Sequence, residues 1–213
     1  MRYNLGIFDL DGTLVDTFPW FLRHANDVAD RFGFRRIAEN ENEIEALRRT
    51  GSREILRRLD VSVWKLPAIA RHMRRLKAAH AGDIALFPGV EAMLRELRDG
   101  GVRLALVTSD SEANARRQLG QANAALFSDF ACGASLFGKA AKFRRVLKRA
   151  RVDPGAAIAI GDEVRDIEAA RAAGIACAAV TWGYAALEAL RAHGPDIVFE
   201  RMRDITAALV PGG

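Results

Sequence analysis

Two textures alternate along most of the chain. Short apolar runs of buried-strand length stand at 3–10 (YNLGIFDL), 102–108 (VRLALVT), 156–160 (AAIAI), 175–180 (IACAAV) and 196–199 (DIVF). Between most of them, apolar residues recur at helical spacing, over 90–99, 112–119, 139–150, 166–173, 184–192 and 203–209. Strands alternating with helices predict an α/β fold, a Rossmann-like parallel sheet covered on both faces through right-handed crossovers. One stretch breaks the rhythm. From about Thr17 to Asp83 no run has strand character, and helix-like segments such as PWFLRHANDVADRF, ENEIEALRRT and REILRRL follow one another. So long a helical stretch cannot be an ordinary crossover between the first two strands. It predicts an inserted all-α module over 17–83, with the core built from 1–16 and 84–213 and re-entered at LFPGV, residues 86–90.

Composition narrows the class. The chain has 213 residues, half of them hydrophobic and 28% charged, as in an ordinary soluble globular protein. No apolar stretch reaches the roughly 20 residues of a membrane span, and the first strand begins where a secretory signal would stand, so no membrane partner and a cytoplasmic location are expected. Cys132 and Cys177 are far apart with no histidine beside them, which predicts free, buried thiols rather than a disulfide or a zinc site. Charge is unevenly spread. Residues 18–84 carry fourteen Lys and Arg against nine Asp and Glu, whereas the remainder carries eighteen of each. The basic insert therefore presents either a solvated helix face or a field that steers anionic substrates. Without aromatics on a repeat it does not predict a nucleic-acid partner.

The candidate chemistry begins where the first strand ends, in Asp9-Leu10-Asp11-Gly12-Thr13-Leu14-Val15-Asp16. Residues i and i+2 of an extended chain point the same way, so Asp9 and Asp11 are expected to project together, with Gly12 allowing a sharp turn after them. Carboxylates at the C-terminal end of a parallel strand stand where α/β folds place ligands, and held close they favour a bound cation or a shared proton. A second acidic group follows late in the chain, in AAIAIGDEVRDIEAARAAGI. There Asp162 ends a buried run, and Asp166 follows four residues later on the same face of the next helix.

The segment FDLDGTLVDT resembles the first signature of the haloacid dehalogenase-like (HAD) superfamily, in particular its phosphoglycolate-phosphatase-like branch with an α-helical cap. The resemblance implies a magnesium-dependent phosphatase acting on a small organic phosphate monoester, phosphoglycolate-like or a sugar phosphate, through an aspartyl-phosphate. It makes Asp9 the nucleophile and a magnesium ligand. Asp11 becomes the general acid/base and a further ligand through its backbone carbonyl, while Thr13 orders the loop. Thr108, with the amides of Ser109 and Asp110, would hold phosphate oxygens, as would Lys139 or Lys142 in FGKAAKFRRVLKRA, with Lys139 better placed because it leads the helix. Relatives with a K-P-x-P string there have prolines that this sequence lacks. Asp162 would ligate magnesium directly, and Asp166 directly or through water, with Glu163 a possible substitute ligand.

Within the superfamily, the acidic residue at Asp11 argues against dehalogenase chemistry. A β-phosphoglucomutase-like enzyme would carry a histidine at Phe21, whereas the nearest one here is His24. A phosphonatase would need a cap lysine, for which Lys65 and Lys77 are the candidates. Gly51-Ser52-Arg53-Glu54 resembles a cap motif whose arginine, Arg53, would meet the anionic end of a substrate. The cap would hinge near Asp16–Phe18 and Gly82–Phe87, with Trp20 and Trp64 in its core or lining. Trp182, in the Thr181–Tyr184 loop, is a candidate for packing or for touching the cap. A monomer or homodimer is expected. Rivals of another class are a receiver domain and a catalytically silent binding module. The first lacks a helical insert, and the second would have lost one of Asp9, Asp11 and Asp162.

Overall fold

The computed structural model describes residues 3–133 and 138–210. Six parallel strands, β1 (Leu5–Phe8), β2 (Arg103–Val107), β3 (Phe127–Ala131), β4 (Ala157–Gly161), β5 (Ala176–Val180) and β6 (Ile197–Phe199), form one sheet in the order β3-β2-β1-β4-β5-β6. The chain works outward from β1 to one edge, then returns to the other side of β1 with β4. That reversal opens a crevice beyond the carboxyl ends of β1 and β4, where open α/β sheets bind ligands. The register aligns the edge: Phe8 lies beside Leu106 and Ile160, so Asp9, Thr108 and Asp162 leave the sheet as near neighbours.

The core strands are apolar throughout because both faces are covered. Phe8, Leu104, Leu106, Ile158 and Ile160 face one side, with residues of α5 (Val90–Asp99), α6 (Glu112–Ala124) and α10 (Met202–Leu209). Alternate residues Leu5, Ile7, Ala105, Val107 and Ala159 face the other, against α7 (Gly138–Ala150), α8 (Val164–Ala173) and α9 (Leu187–Ala192).

Four α-helices, α1 (Phe18–Phe32), α2 (Glu41–Arg48), α3 (Ser52–Arg58) and α4 (Leu66–Ala79), fill the insert, and no strand occurs in it among the described residues. Its own core is small, with Ala25, Ile37, Leu47 and Leu59 buried at the centre. The chain enters and leaves it side by side. The amide of Asp16 donates to the carbonyl of Ala85 at 2.9 Å, and that of Phe87 to Leu14 at 3.0 Å. Trp20 is buried as expected, but Trp64 is 77% exposed and belongs to no core.

Three other features depart from the sequence reading. β3 was not anticipated because Ser128 and Asp129 interrupt its apolar residues; at a sheet edge they stay partly in water, and Asp129 pairs with Arg149 at 2.9 Å. α6 runs past 119 through a kink at Gly120, where φ is +74°. The last crossover helix starts at Leu187 rather than 184, leaving the preceding residues as a loop over the sheet edge. Both cysteines are free, and burial pushes their thiols up, Cys132 to about 11 and Cys177 to about 12. No helix among the described residues is long and apolar enough to cross a membrane.

Leu106 is fully buried in the strand beside β1. Leu106→Ala is expected to lower unfolding free energy by about 2–5 kcal/mol in urea titrations, from lost burial plus the cavity it leaves; a loss under about 1 kcal/mol contradicts this packing.

Candidate active site

Asp9 is the first residue beyond β1, its amide bonded to the Ile160 carbonyl at 2.9 Å and its side chain buried. Asp162 follows β4 and is fully buried. Its two oxygens accept from the Thr13 hydroxyl and the Tyr184 amide, each at 2.8 Å. Asp166 sits in the first turn of α8, where one oxygen accepts from the Glu163 amide at 3.1 Å. Oxygens of the three carboxylates lie within 4.8 Å of one another. Close packing enforces the arrangement: a Cβ on Gly12 or on Gly183 would come within 2.2 Å of the Asp162 side chain.

Lys139 neutralises part of this cluster. It leads α7, and its ammonium reaches Asp9 at 2.9 Å and Asp166 at 2.5 Å. Burial opposes its charge, but Asp166 and Asp9 outweigh that and raise its pKa. Burial drives Asp9 up to about 6 against the pull of Lys139. Asp162 is held well above the usual carboxylate range by burial, then by Glu163, Asp9 and Asp166. For Asp166 burial is outweighed by Lys139 and Arg165, so its carboxyl is depressed. Lys142, one turn on, donates instead to the carbonyls of Thr108, at 2.5 Å, and Gly133. Burial and the neighbouring Lys139 push it down to about 8. Of the two candidate lysines, Lys139 faces the carboxylates and Lys142 ties two loops together.

Asp11 goes elsewhere. Its carboxylate pairs with Lys77 from α4, and the same ammonium binds Asp110 at 2.9 Å. Asp110 is itself fixed by the Ser111 amide at 2.7 Å and the Asn114 side chain at 2.9 Å. Asp9 and Asp11 therefore do not share a partner as the two-residue period suggested; Asp9 is grouped with Asp162 and Asp166 instead. A cavity of about 420 Å³ opens over Asp9, lined also by Thr108, Ser109 and Lys139. Another of about 270 Å³ lies over Asp11, between the insert and the core. The Thr108 hydroxyl accepts from the Asp110 amide at 3.1 Å.

A family model described as haloacid dehalogenase-like hydrolase matches residues 6–180, which span the first strand, the insert and every residue of this cluster. The chain belongs to that family. As a haloacid dehalogenase-like hydrolase it is similar to a phosphoglycolate phosphatase of Synechococcus elongatus, 35% identical over 95% of each chain. Its fold matches a haloacid dehalogenase-like hydrolase of Streptococcus pneumoniae, with a TM-score of 0.79, 23% identity and 97% and 98% of the two chains covered. It also matches CbbY of Rhodobacter sphaeroides, solved in complex with phosphate, at a TM-score of 0.72, 25% identity and coverage of 95% and 96%.

In this haloacid dehalogenase-like hydrolase the remaining candidates fall as follows. Arg53 is exposed on α3 and lines none of the described cavities; its neighbour Ser52 makes the contact across to the core, donating to Glu163 at 2.8 Å. Trp182 donates to the Thr13 carbonyl at 3.1 Å and stacks edge-on against Phe87, so it packs on the core. The loop's contact with the insert is made beside it. Arg48 donates to the carbonyls of Gly183 and Tyr184, and the Tyr184 ring meets Phe18 and Phe21. Lys77 and Asp110 were not singled out together. The signal available was faint, one lysine in an arginine-rich helix and one Asp after a strand.

Three buried carboxylates with hard oxygen donors suit a divalent cation such as magnesium. Because their pKa values are raised, Asp9 and Asp162 hold more protons in the folded, metal-free protein than in the unfolded chain, and these two groups cost it stability as pH rises from about 4 through the value of about 6 at Asp9. A cation must displace those protons. The rise in unfolding midpoint on adding magnesium is therefore expected to be clearly larger at about pH 7.5 than at about pH 5; an equal rise contradicts a site on these carboxylates.

Proposed function

We propose that this protein is a magnesium-dependent phosphatase that hydrolyses a small organic phosphate monoester, phosphoglycolate-like or a sugar phosphate, through an aspartyl-phosphate on Asp9. The observation that carries the reading is the position of Asp9. It stands at the switch point of the sheet, ion-paired to Lys139 beside Asp162 and Asp166, and opens onto a cavity lined by Thr108 and Ser109. The relatives' names supply the ester.

Asp9, Asp162 and the backbone carbonyl of Asp11 would hold magnesium, with Asp166 bound directly or through water. The cation, when bound, neutralises phosphoryl charge and offsets the repulsion among the carboxylates. The Thr108 hydroxyl, the Ser109 amide and Lys139 hold the phosphoryl oxygens, where charge must be stabilised as the bond breaks. An Asp9 oxygen attacks phosphorus in line, the bond to the alcohol oxygen breaks, and Asp11 gives that oxygen a proton. Water then attacks the phosphorus of the aspartyl-phosphate, Asp11 takes its proton, and the Asp9–phosphorus bond breaks to release phosphate.

Residues 17–83 act on this reading as a cap over a core of 1–16 and 84–213, hinged near Asp16–Phe18 and Gly82–Phe87, beside the bridge that pairs Val15 with Leu86. Closing it excludes water while the intermediate forms, and opening it lets the alcohol leave and water enter. A phosphonatase-type reading finds no support, because a Schiff base needs a neutral amine. Lys77 is held as an ammonium by two carboxylates, and Lys65 donates to the Phe32 carbonyl at 2.6 Å at the end of α1. The mutase-type reading fares no better, since Phe21 lines the cavity over Asp11 and His24 stacks between Trp20 and His80.

Phosphate release from a panel of small esters should require magnesium and stop with chelator. Asp9→Asn should lower turnover by on the order of 10⁴-fold or more while the far-ultraviolet spectrum stays unchanged. Substantial magnesium-dependent turnover in that variant contradicts the assignment.

A further inference from the structure

Three cations line the cavity over Asp11: Arg74 and Lys77 from α4 of the insert, and Arg165 from α8 of the core. Its acidic walls are Asp11, Asp110 and Glu163. These charges do not all cancel locally. Lys77 is committed to Asp11 and Asp110 together. Glu163 is committed to Arg165 through one oxygen and to the Ser52 hydroxyl through the other. Arg74 is left. Its guanidinium has no ion pair or hydrogen bond among the described residues, although it is half-buried against the cavity.

Arg165 uses one terminal nitrogen on Glu163, and its side chain is 49% exposed. It lines the cavities over both Asp9 and Asp11. One guanidinium thus reaches in from the insert and another from the core. The remaining wall is largely apolar, with Trp20, Phe21 and Met73, and a charge–charge contact there is stronger than in open water. A guanidinium presents a planar fork of donors that matches a carboxylate in two-point contact.

We propose that Arg74 and Arg165 are the specificity-determining residues of this enzyme, receiving a carboxylate carried by the alcohol part of the ester. The role expected for Arg53 passes to them, because Arg53 is exposed on α3 and lines none of the described cavities. The inference rests on the phosphatase reading. It adds a consequence of position: a substrate carboxylate held by one arginine from each side ties the insert to the core while Asp11 acts on the leaving oxygen.

The test compares phosphoglycolate with 2-hydroxyethyl phosphate, an ester of similar size whose far end is neutral. Each is assayed with wild type, Arg74→Met, Arg165→Met and Arg53→Met. The ratio of the two kcat/KM values within one preparation does not depend on how much of it is folded. Wild type is expected to favour phosphoglycolate by at least about tenfold, and Arg74→Met and Arg165→Met each to bring that ratio down toward one, mainly through KM. Parity in wild type, an unchanged ratio in either variant, or loss of discrimination in Arg53→Met alone overturns the proposal. Release of phosphate from neither ester by wild type overturns the phosphatase reading instead, and this inference with it.

Discussion

Asp9, Asp162 and Asp166 bring carboxylate oxygens within 4.8 Å of one another in a place water barely reaches. Like charges so close and so dry repel strongly, and each ion carries a desolvation cost of several kcal/mol. The neighbourhood is organised around that repulsion. Lys139 spans two of the three acids, Thr13 and Tyr184 donate to the third, and Arg165 adds positive charge at the rim. Burial first, and then the repulsion left uncompensated, raises the pKa values of Asp9 and Asp162. A divalent cation at this place would offset the repulsion and favour the ionised form of both groups.

The same electrostatics joins the insert to the core. Asp11 and Asp110 would repel each other but for Lys77, which comes from the last long helix of the insert. A buried charge of this kind depends on its partners, since removing one leaves the rest unpaired and costs about 3–5 kcal/mol. The insert is therefore not only packed against the core but charge-matched to Asp11, the residue proposed to transfer the proton. Ser52 on Glu163 and Arg48 on the Gly183 and Tyr184 carbonyls repeat the pattern around the cleft.

Much of this was legible in the sequence because the sheet is buried on both faces. Leu104 to Val107 and Ala157 to Ile160 read as strands since every position had to be apolar. Asp9 and Asp162 stood out as charges that end such runs, and Asp166 through its place in the first turn of a helix. β3 was hidden for the converse reason: an edge strand tolerates Ser128 and Asp129. Local rules also misled at Asp11, which lies beyond the strand, so that the two-residue period no longer governs its partner. Arg53, Arg74 and Lys77 are alike as letters in an arginine-rich segment. Only the docking of α4 over the end of β1 sets apart the lysine that binds two acids and the arginine that lines the cavity beside it.

The central claim is that Asp9 carries the phosphoryl group during turnover. Rapid acid quench of enzyme mixed with labelled ester and magnesium, followed by peptide mapping, tests it most directly. The account predicts label on the peptide containing Asp9, appearing before free phosphate is complete and disappearing as hydrolysis ends. Full release of labelled phosphate with no label ever on that peptide, or label on another residue, would contradict it.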